Sequence, residues 1–328
     1  MKELIATFTH QLEEAFDIVS KSSFRKPDRP INNIVMCGLG GSGIGAKIVS
    51  NWVQDELKVP LTLVHEYSLP AFVGPNTLVI GSSYSGNTEE TTTALEEAQR
   101  KGAYIFGITS GGNLATFCKN SGYDCTIVPG GNPPRSALGY SLVILIQYLH
   151  SLEFISNLRL SEIRSSISLI NQEQASIKQK AFELSEYLFG KVGVLYSETK
   201  YEGVIVRARQ QFNENSKYLA WCHVIPEMNH NELVGWGGGD DRFAPIFFVA
   251  EDIHPRNKKR FEISTMAVEK KTGSSMTLEA KGSSLVERSL YLVHLVDWAS
   301  YFLCEKNGAD ILDIEIIDYL KSELSGMK

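Results

Sequence analysis

The rhythm of this sequence constrains its fold more than any single residue does. Short apolar runs, closed by Gly- or Ser-rich turns, alternate with longer amphipathic stretches. "IVMCG" leads into "GAKIVSNWVQDEL", "LTLVHEY" follows, and "TLVIG" leads into "TEETTTALEEAQRKG"; "YIFGITS" and "CTIVPGG" close the series. Such runs fit strands covered on both faces, and the stretches between them fit the covering helices. A parallel sheet wrapped by helices is expected. Ahead of it, Leu4, Ile5, Phe8, Leu12, Phe16 and Val19 fall at helical spacing, and a polar link, "KSSFRKPDRPINN", follows them. Behind it, "SALGYSLVILIQYLH" reads as an apolar helix.

Residues 152–190 are helical in pattern, rich in Glu, Gln, Lys and Ser, and read as a bridge to a second series. That series runs "VGVLYS" before "YEGVIVRARQQFNENSK", then "WCHVIP", "PIFFVAED" before "NKKRFEIS", "SMTLEAKG", and a long helix over about residues 284–305. The two series resemble a degenerate repeat. "IVMCGLGGSGIGAKIVSNWVQDEL" aligns with "VGVLYSETKYEGVIVRARQQFNEN", and "LVIGSSYSGNTEET" aligns with "FFVAEDIHPRNKKR". In the second copy, Glu, Thr, Lys, Asp and His replace the Gly and Ser of both turns. A length of 328 residues suits two domains, each with its own core.

A net charge of −6 and a pI near 5.7 argue against a nucleic-acid groove or an anionic membrane as the main partner. An anionic ligand must then be held by a local positive feature. Cys37, Cys118, Cys125, Cys222 and Cys304 form no CxxC pair, which reads as a reduced, cytoplasmic protein. "MKELIATFTH" lacks the apolar core of a signal peptide, and "LVILIQYL" is too short to span a bilayer.

Two turns offer the local positive feature. "GLGGSG" follows a strand and opens a helix, fitting GxGxxG through Gly38, Gly40 and Gly43. With Glu66 at the end of the next strand, it keeps a dinucleotide site under consideration. "GSSYSGNTEE" is the second turn. Asn87 with Glu90 forms a plausible capping box, which leaves Ser83, Ser85 and Thr88 unexplained. The free N–H groups and dipole of a helix start attract a phosphate, and hydroxyls add neutral donors. Gly41 and Ser42 on one turn, with Ser83, Ser85 and Thr88 on the other, suit a terminal monophosphate. A bare helix cap is the competing reading.

"CGLGGSGIGA", "SSYSGNTEET" and "GNPPRSALGY" together resemble the sugar isomerase (SIS) fold. Within it, the chain resembles the bacterial and archaeal bifunctional phosphoglucose/phosphomannose isomerases, which are two tandem SIS domains. "NENSK" and "MNHNELVGW" extend the resemblance over nearly the whole chain. It implies an α/β fold with SIS domains at residues 1–152 and 153–328. Each is a mostly parallel sheet flanked by helices, doubly wound and flavodoxin-like. It also implies a homodimer.

Aldose–ketose isomerisation needs a carbon base, a ring-opening acid/base and positive charge beside the developing oxyanion. The resemblance assigns Glu214 in "QFNENSKYLAW" as the carbon base and His230 in "PEMNHNELVGW" as the ring opener, reaching over from the partner subunit. It assigns Lys321 in "IIDYLKSEL" as a lysine that reaches the active site. Arg135 follows two prolines that stiffen its loop, so its guanidinium can steady the enediolate or a sugar oxygen. By sequence alone, Glu214 is also a solvated helix-end carboxylate and Lys321 an exposed helical lysine. The chain departs from the family pattern at Ile311–Asp313, where a Thr-Pro pair is common, and "GWGGGDDRF" is Gly-rich enough for a mobile flap.

The resulting expectation is an isomerase acting on glucose 6-phosphate and mannose 6-phosphate, with no cofactor and no metal. Its partner is a small sugar phosphate, not nucleic acid or membrane. A non-catalytic SIS regulator is the first alternative, but the roughly 30 residues before the first strand hold too little for a DNA-binding module. An NAD-dependent dehydrogenase resting on "GLGGSG" is the second.

Overall fold

A computed structural model describes residues 1–326 of the chain. It opens with α1 (Lys2–Ala6) and α2 (Phe8–Ser20). The first series then unfolds as β1 (Asn33–Cys37), α3 (Gly40–Trp52), β2 (Leu61–Val64), β3 (Thr77–Ser82), α4 (Glu89–Arg100), β4 (Tyr104–Thr109), α5 (Gly112–Ser121), β5 (Asp124–Ile127) and α6 (Leu138–Ser151). The bridge is one helix, α7 (Leu158–Leu188). The second series is β6 (Val192–Glu198), α8 (Glu202–Ser216), β7 (Ala220–Ile225), α9 (Glu232–Gly235), β8 (Phe243–Val249), α10 (Pro255–Thr272), β9 (Met276–Glu279) and α11 (Leu285–Asn307). The last described helix is α12 (Glu315–Ser325).

Every pairing in the two sheets is parallel among the described residues. The first sheet has the order β2-β1-β3-β4-β5 and the second the order β7-β6-β8-β9. Both follow the doubly wound rule in which the winding reverses beside the first strand, and ligands favour the strand ends at that point. Register makes the repeat concrete. Met36 of β1 lies opposite Ile80 of β3, and Leu195 of β6 lies opposite Ile246 of β8. The turns after β1 and β3 therefore correspond to those after β6 and β8.

One buried cluster runs through both halves. The apolar face of α11 packs along α7 and α8, while α2 packs on α6 and α7. Within it His294 is fully buried, stacked on Phe8 with ring centroids 5.8 Å apart, and accepts hydrogen bonds at Nε2 from Gln174 and Trp298. Burial lowers its pKa to about 3, so the imidazole is neutral in the core. The equivalent helices of the two halves, α3 and α8, also touch: Lys47 Nζ is 2.6 Å from Glu202 Oε2, and Asn51 Oδ1 accepts from Gly203 N at 3.0 Å. That contact helps bring the two halves of the site together.

The strand–helix order matches the sequence reading, with one addition. The sequence rhythm gives no helix between "YIFGITS" and "CTIVPGG", yet α5 lies there, ended by Gly122 in the left-handed region. Its buried face is only Leu114 and Cys118, too small a stripe to announce a helix.

Candidate active site

The turns after β1 and β3 meet at the sheet's switch point. Ser42 Oγ accepts from Tyr84 N at 2.9 Å, so the two loops are joined directly. Ser83 is fully buried; its hydroxyl lies 2.8 Å from Thr88 Oγ1 and accepts from Gly86 N at 3.1 Å and Thr88 N at 3.4 Å. Ser85 is exposed and accepts from Asn87 N at 3.2 Å. Gly86 has φ +72°, and a Cβ there would come within 1.9 Å of Gly111 O, so only glycine fits this turn.

The expected capping box is corrected here. The helix starts one residue later than that pairing needs: Thr88 is the N-cap of α4, and no side chain caps it. Asn87 Oδ1 instead accepts from Asn113 N, at 3.0 Å, at the start of α5, while the Thr88 hydroxyl is engaged with Ser83. The start of α3 also has no side-chain cap. Two helix starts with free N–H groups thus face the same strand ends, beside Gly41, Ser42, Ser83, Ser85 and Thr88. That suits an anion better than a self-contained cap.

Arg135 and Glu214 come together. Arg135 lies in a one-turn helix at 134–136, directly behind its prolines, and is 3 % exposed. Its NH1 donates to Glu214 Oε1 at 2.9 Å, its Nε to Asn215 Oδ1 at 2.7 Å and its NH2 to the Ile311 carbonyl at 2.6 Å. Glu214 occupies the last turn of α8 and faces an open cavity of about 590 Å³, walled on its other side by Asp313–Tyr319 around the start of α12. The Ile311–Asp313 departure therefore spares the Arg135 contact, because a backbone carbonyl supplies it.

A chain of buried polar groups fixes this pair. Asn215 Nδ2 donates to Ser300 Oγ at 2.9 Å, and Ser300 Oγ donates to the Asp297 carbonyl. Asp297 takes Arg207 at 2.7 and 3.1 Å and Gln211 at 2.9 Å, and Arg207 NH2 donates to the Arg135 carbonyl at 3.0 Å. Burial pushes the Asp297 carboxyl up, and the Arg207 guanidinium pulls it back. The loop also leans on the phosphate-type turn. A Cβ on Gly41 would sit 2.9 Å from Arg135 N, so the two turns are in backbone contact. Sequence reasoning passed over Asn215, Asp297 and Tyr84. Only the Glu-Asn pair in "NENSK" hinted at the first.

The remaining candidates lie apart from this centre. His230 is exposed, between β7 and α9, and no hydrogen bond or ion pair joins it to Glu214 or Arg135 among the described residues. Lys321 is on the exposed side of α12 and approaches Asp318 at 3.9 Å. Trp236 pins the Gly-rich segment: it is buried and donates to Tyr196. Among the described residues no cluster of three or more His, Cys, Asp or Glu is placed to hold a metal, and no helix is long and apolar enough to cross a membrane.

Comparison with known proteins agrees with this layout. Residues 29–127 match the SIS domain family, and residues 177–324 match the family described as the bacterial phospho-glucose isomerase C-terminal SIS domain. The chain is 36% identical over 298 residues to a bifunctional phosphoglucose/phosphomannose isomerase of Aquifex aeolicus, covering 90% of this chain and 91% of that one. A protein of the same name from Caldicellulosiruptor bescii is 32% identical over the full length of both. The chain belongs to the bifunctional phosphoglucose/phosphomannose isomerase family. Its fold also matches the C-terminal domain of glucosamine-fructose-6-phosphate aminotransferase from Francisella tularensis, with a TM-score of 0.75, 13% identity and coverage of 95% and 96%. Two SIS domains account for the paired sheets.

Proposed function

We propose that this chain is a cytoplasmic isomerase that interconverts glucose 6-phosphate and mannose 6-phosphate with fructose 6-phosphate. The observation that carries the reading is the buried Arg135 guanidinium. It grips the Glu214 carboxylate at 2.9 Å from a loop resting on the Gly41 turn. In the reading, Gly41, Ser42, Ser83, Ser85 and Thr88 hold the phosphate of the open-chain sugar. The Glu214 carboxylate takes the proton from C2 and returns it to C1, while the hydroxyl proton moves from O2 to O1. Arg135 balances the enediolate charge. In the reading Lys321 reaches the site by a movement of its own exposed side chain from α12, the start of which walls the Glu214 cavity.

His230 opens the sugar ring from the second subunit of a homodimer. Its exposure, and the lack of any tie to Glu214 in the same chain, support that assignment. The halves divide at residues 152 and 153, between α6 and α7.

The deciding experiment is a paired turnover assay of EDTA-treated protein on both aldose phosphates, with glucosamine 6-phosphate as a third substrate. Turnover of both is expected. No turnover of either would overturn the reading, and activity only after metal is restored would correct the expectation of a metal-free site. Mixing Glu214→Gln and His230→Ala homodimers, each strongly impaired, tests the crossed histidine. With free subunit exchange, one intact site per mixed dimer should restore about a quarter of wild-type activity.

A further inference from the structure

His230 ends a one-turn helix at 227–230 in the connection between β7 and β8, and its imidazole makes no hydrogen bond or ion pair among the described residues. A proton-transfer group on such a segment works only if the backbone on both sides of it is held. Before it, Asn229 Nδ2 donates to Ser264 Oγ of α10 at 2.7 Å, and Met228 is fully buried. After it, the hold comes from one carboxylate. Glu232 Oε2 lies 2.6 Å from His223 Nδ1 of β7, and Glu232 Oε1 accepts the hydroxyl of Tyr196 of β6. Tyr196 OH in turn accepts from Trp236 Nε1 at 2.8 Å. Burial first, and then the bond to Glu232, raise the Tyr196 pKa, so the hydroxyl remains a donor. Asn231 Oδ1 caps the Glu232 N–H at 2.6 Å, which stiffens the single residue between His230 and this anchor.

We infer that Glu232, held by Tyr196 and His223, is the positioning residue for His230: it fixes the backbone two residues beyond the imidazole and so sets the angle at which the ring meets the sugar. Glu232 touches no reacting atom in this arrangement. It gathers two strands and Trp236 onto the segment that carries His230. The inference rests on the reading of His230 as the ring-opening group.

The test is a double-mutant cycle on the intact dimer with glucose 6-phosphate. Glu232→Ala should lower kcat by about 10–100-fold, the scale of a misplaced catalytic group, with KM changed by less than about threefold. In a His230→Ala background the same change should cost nothing further, because the group it positions is gone. Glu232→Gln, which keeps an acceptor for Tyr196, should recover most of the loss. Losses that multiply in the double variant would overturn the inference, as would an unchanged kcat in Glu232→Ala. If Glu232→Ala does not fold, His223→Leu enters the same cycle, with His223→Gln as the conservative rescue. A His230→Ala enzyme with near-normal kcat would instead refute the role of His230, and the two failures are distinguished by that single variant.

Discussion

The two switch points of this molecule share one topology and differ in what fills them. After β1 and β3, the turns present hydroxyls, glycine and two helix starts without side-chain caps. After β6 and β8, the protein fills the equivalent place with its own carboxylates. Glu198 Oε1 accepts from His254 N at 3.1 Å and Asn257 Nδ2 at 2.7 Å, and His254 Nδ1 caps α10 by accepting from Arg256 N. Asp252 beside it takes Lys200 at 2.9 Å and Tyr201 at 2.8 Å. Burial would raise the Asp252 carboxyl, but the hydrogen bonds from Lys200 and Tyr201 hold it below the usual carboxylate range. The first leaves its helix starts without side-chain caps, and the second satisfies its donors with Glu198, Asp252 and His254. In the proposed reading the phosphate handle belongs to the first half, and the chemistry to the seam where the far end of α8 meets the Arg135 loop.

Four substitutions sharpen that contrast. The largest effect is expected from Glu214→Gln, which removes the proposed carbon base: turnover should fall by at least about 10³-fold, read by steady-state kinetics on either aldose phosphate. Gly41→Ala comes next, because the new Cβ must displace the Arg135 backbone. A fall of about 10²-fold in kcat/KM is expected, with both kcat and KM affected, since this one residue touches handle and chemistry alike. Ser83→Ala should act on the handle alone. Gly86 N and Thr88 N lose their shared acceptor, so KM should rise about tenfold while kcat stays within about threefold. Glu198→Ala is the control in the second half. Denaturant melts should show a loss of about 1–3 kcal/mol from the unpaired groups it leaves, with activity per folded molecule within about threefold. Substrate binding weakened by Glu198→Ala as much as by Ser83→Ala would erase the distinction between the two switch points.

How far the sequence announced this arrangement depends on how local each signal is. The turns at 38–43 and 82–88 were legible because Gly and Ser act on their own backbone, within a few residues. The helix start at Thr88 was missed by one position, since Asn87 and Glu90 have capping-box spacing but Asn87 is drawn to Asn113, 26 residues away. Arg135 was legible through its two prolines. Its fixation was not: Asn215 looks like one more polar residue at a helix end, and Asp297 like a lone acid on an apolar helix. Both are explained only by contacts spanning 80 or more residues. For Lys321 and His230 the sequence pattern by itself gives only an exposed helical lysine and a histidine in a polar loop.

The central claim is that the handle and the chemistry belong to different halves of the chain. The most direct test titrates Glu214→Gln calorimetrically with glucitol 6-phosphate, a sugar-alcohol phosphate with no carbonyl to isomerise. The account predicts a dissociation constant within about threefold of wild type, because every proposed phosphate contact lies in the first half and Gln preserves the bond to Arg135. Binding weakened by about tenfold or more, in a variant that folds normally, would contradict it.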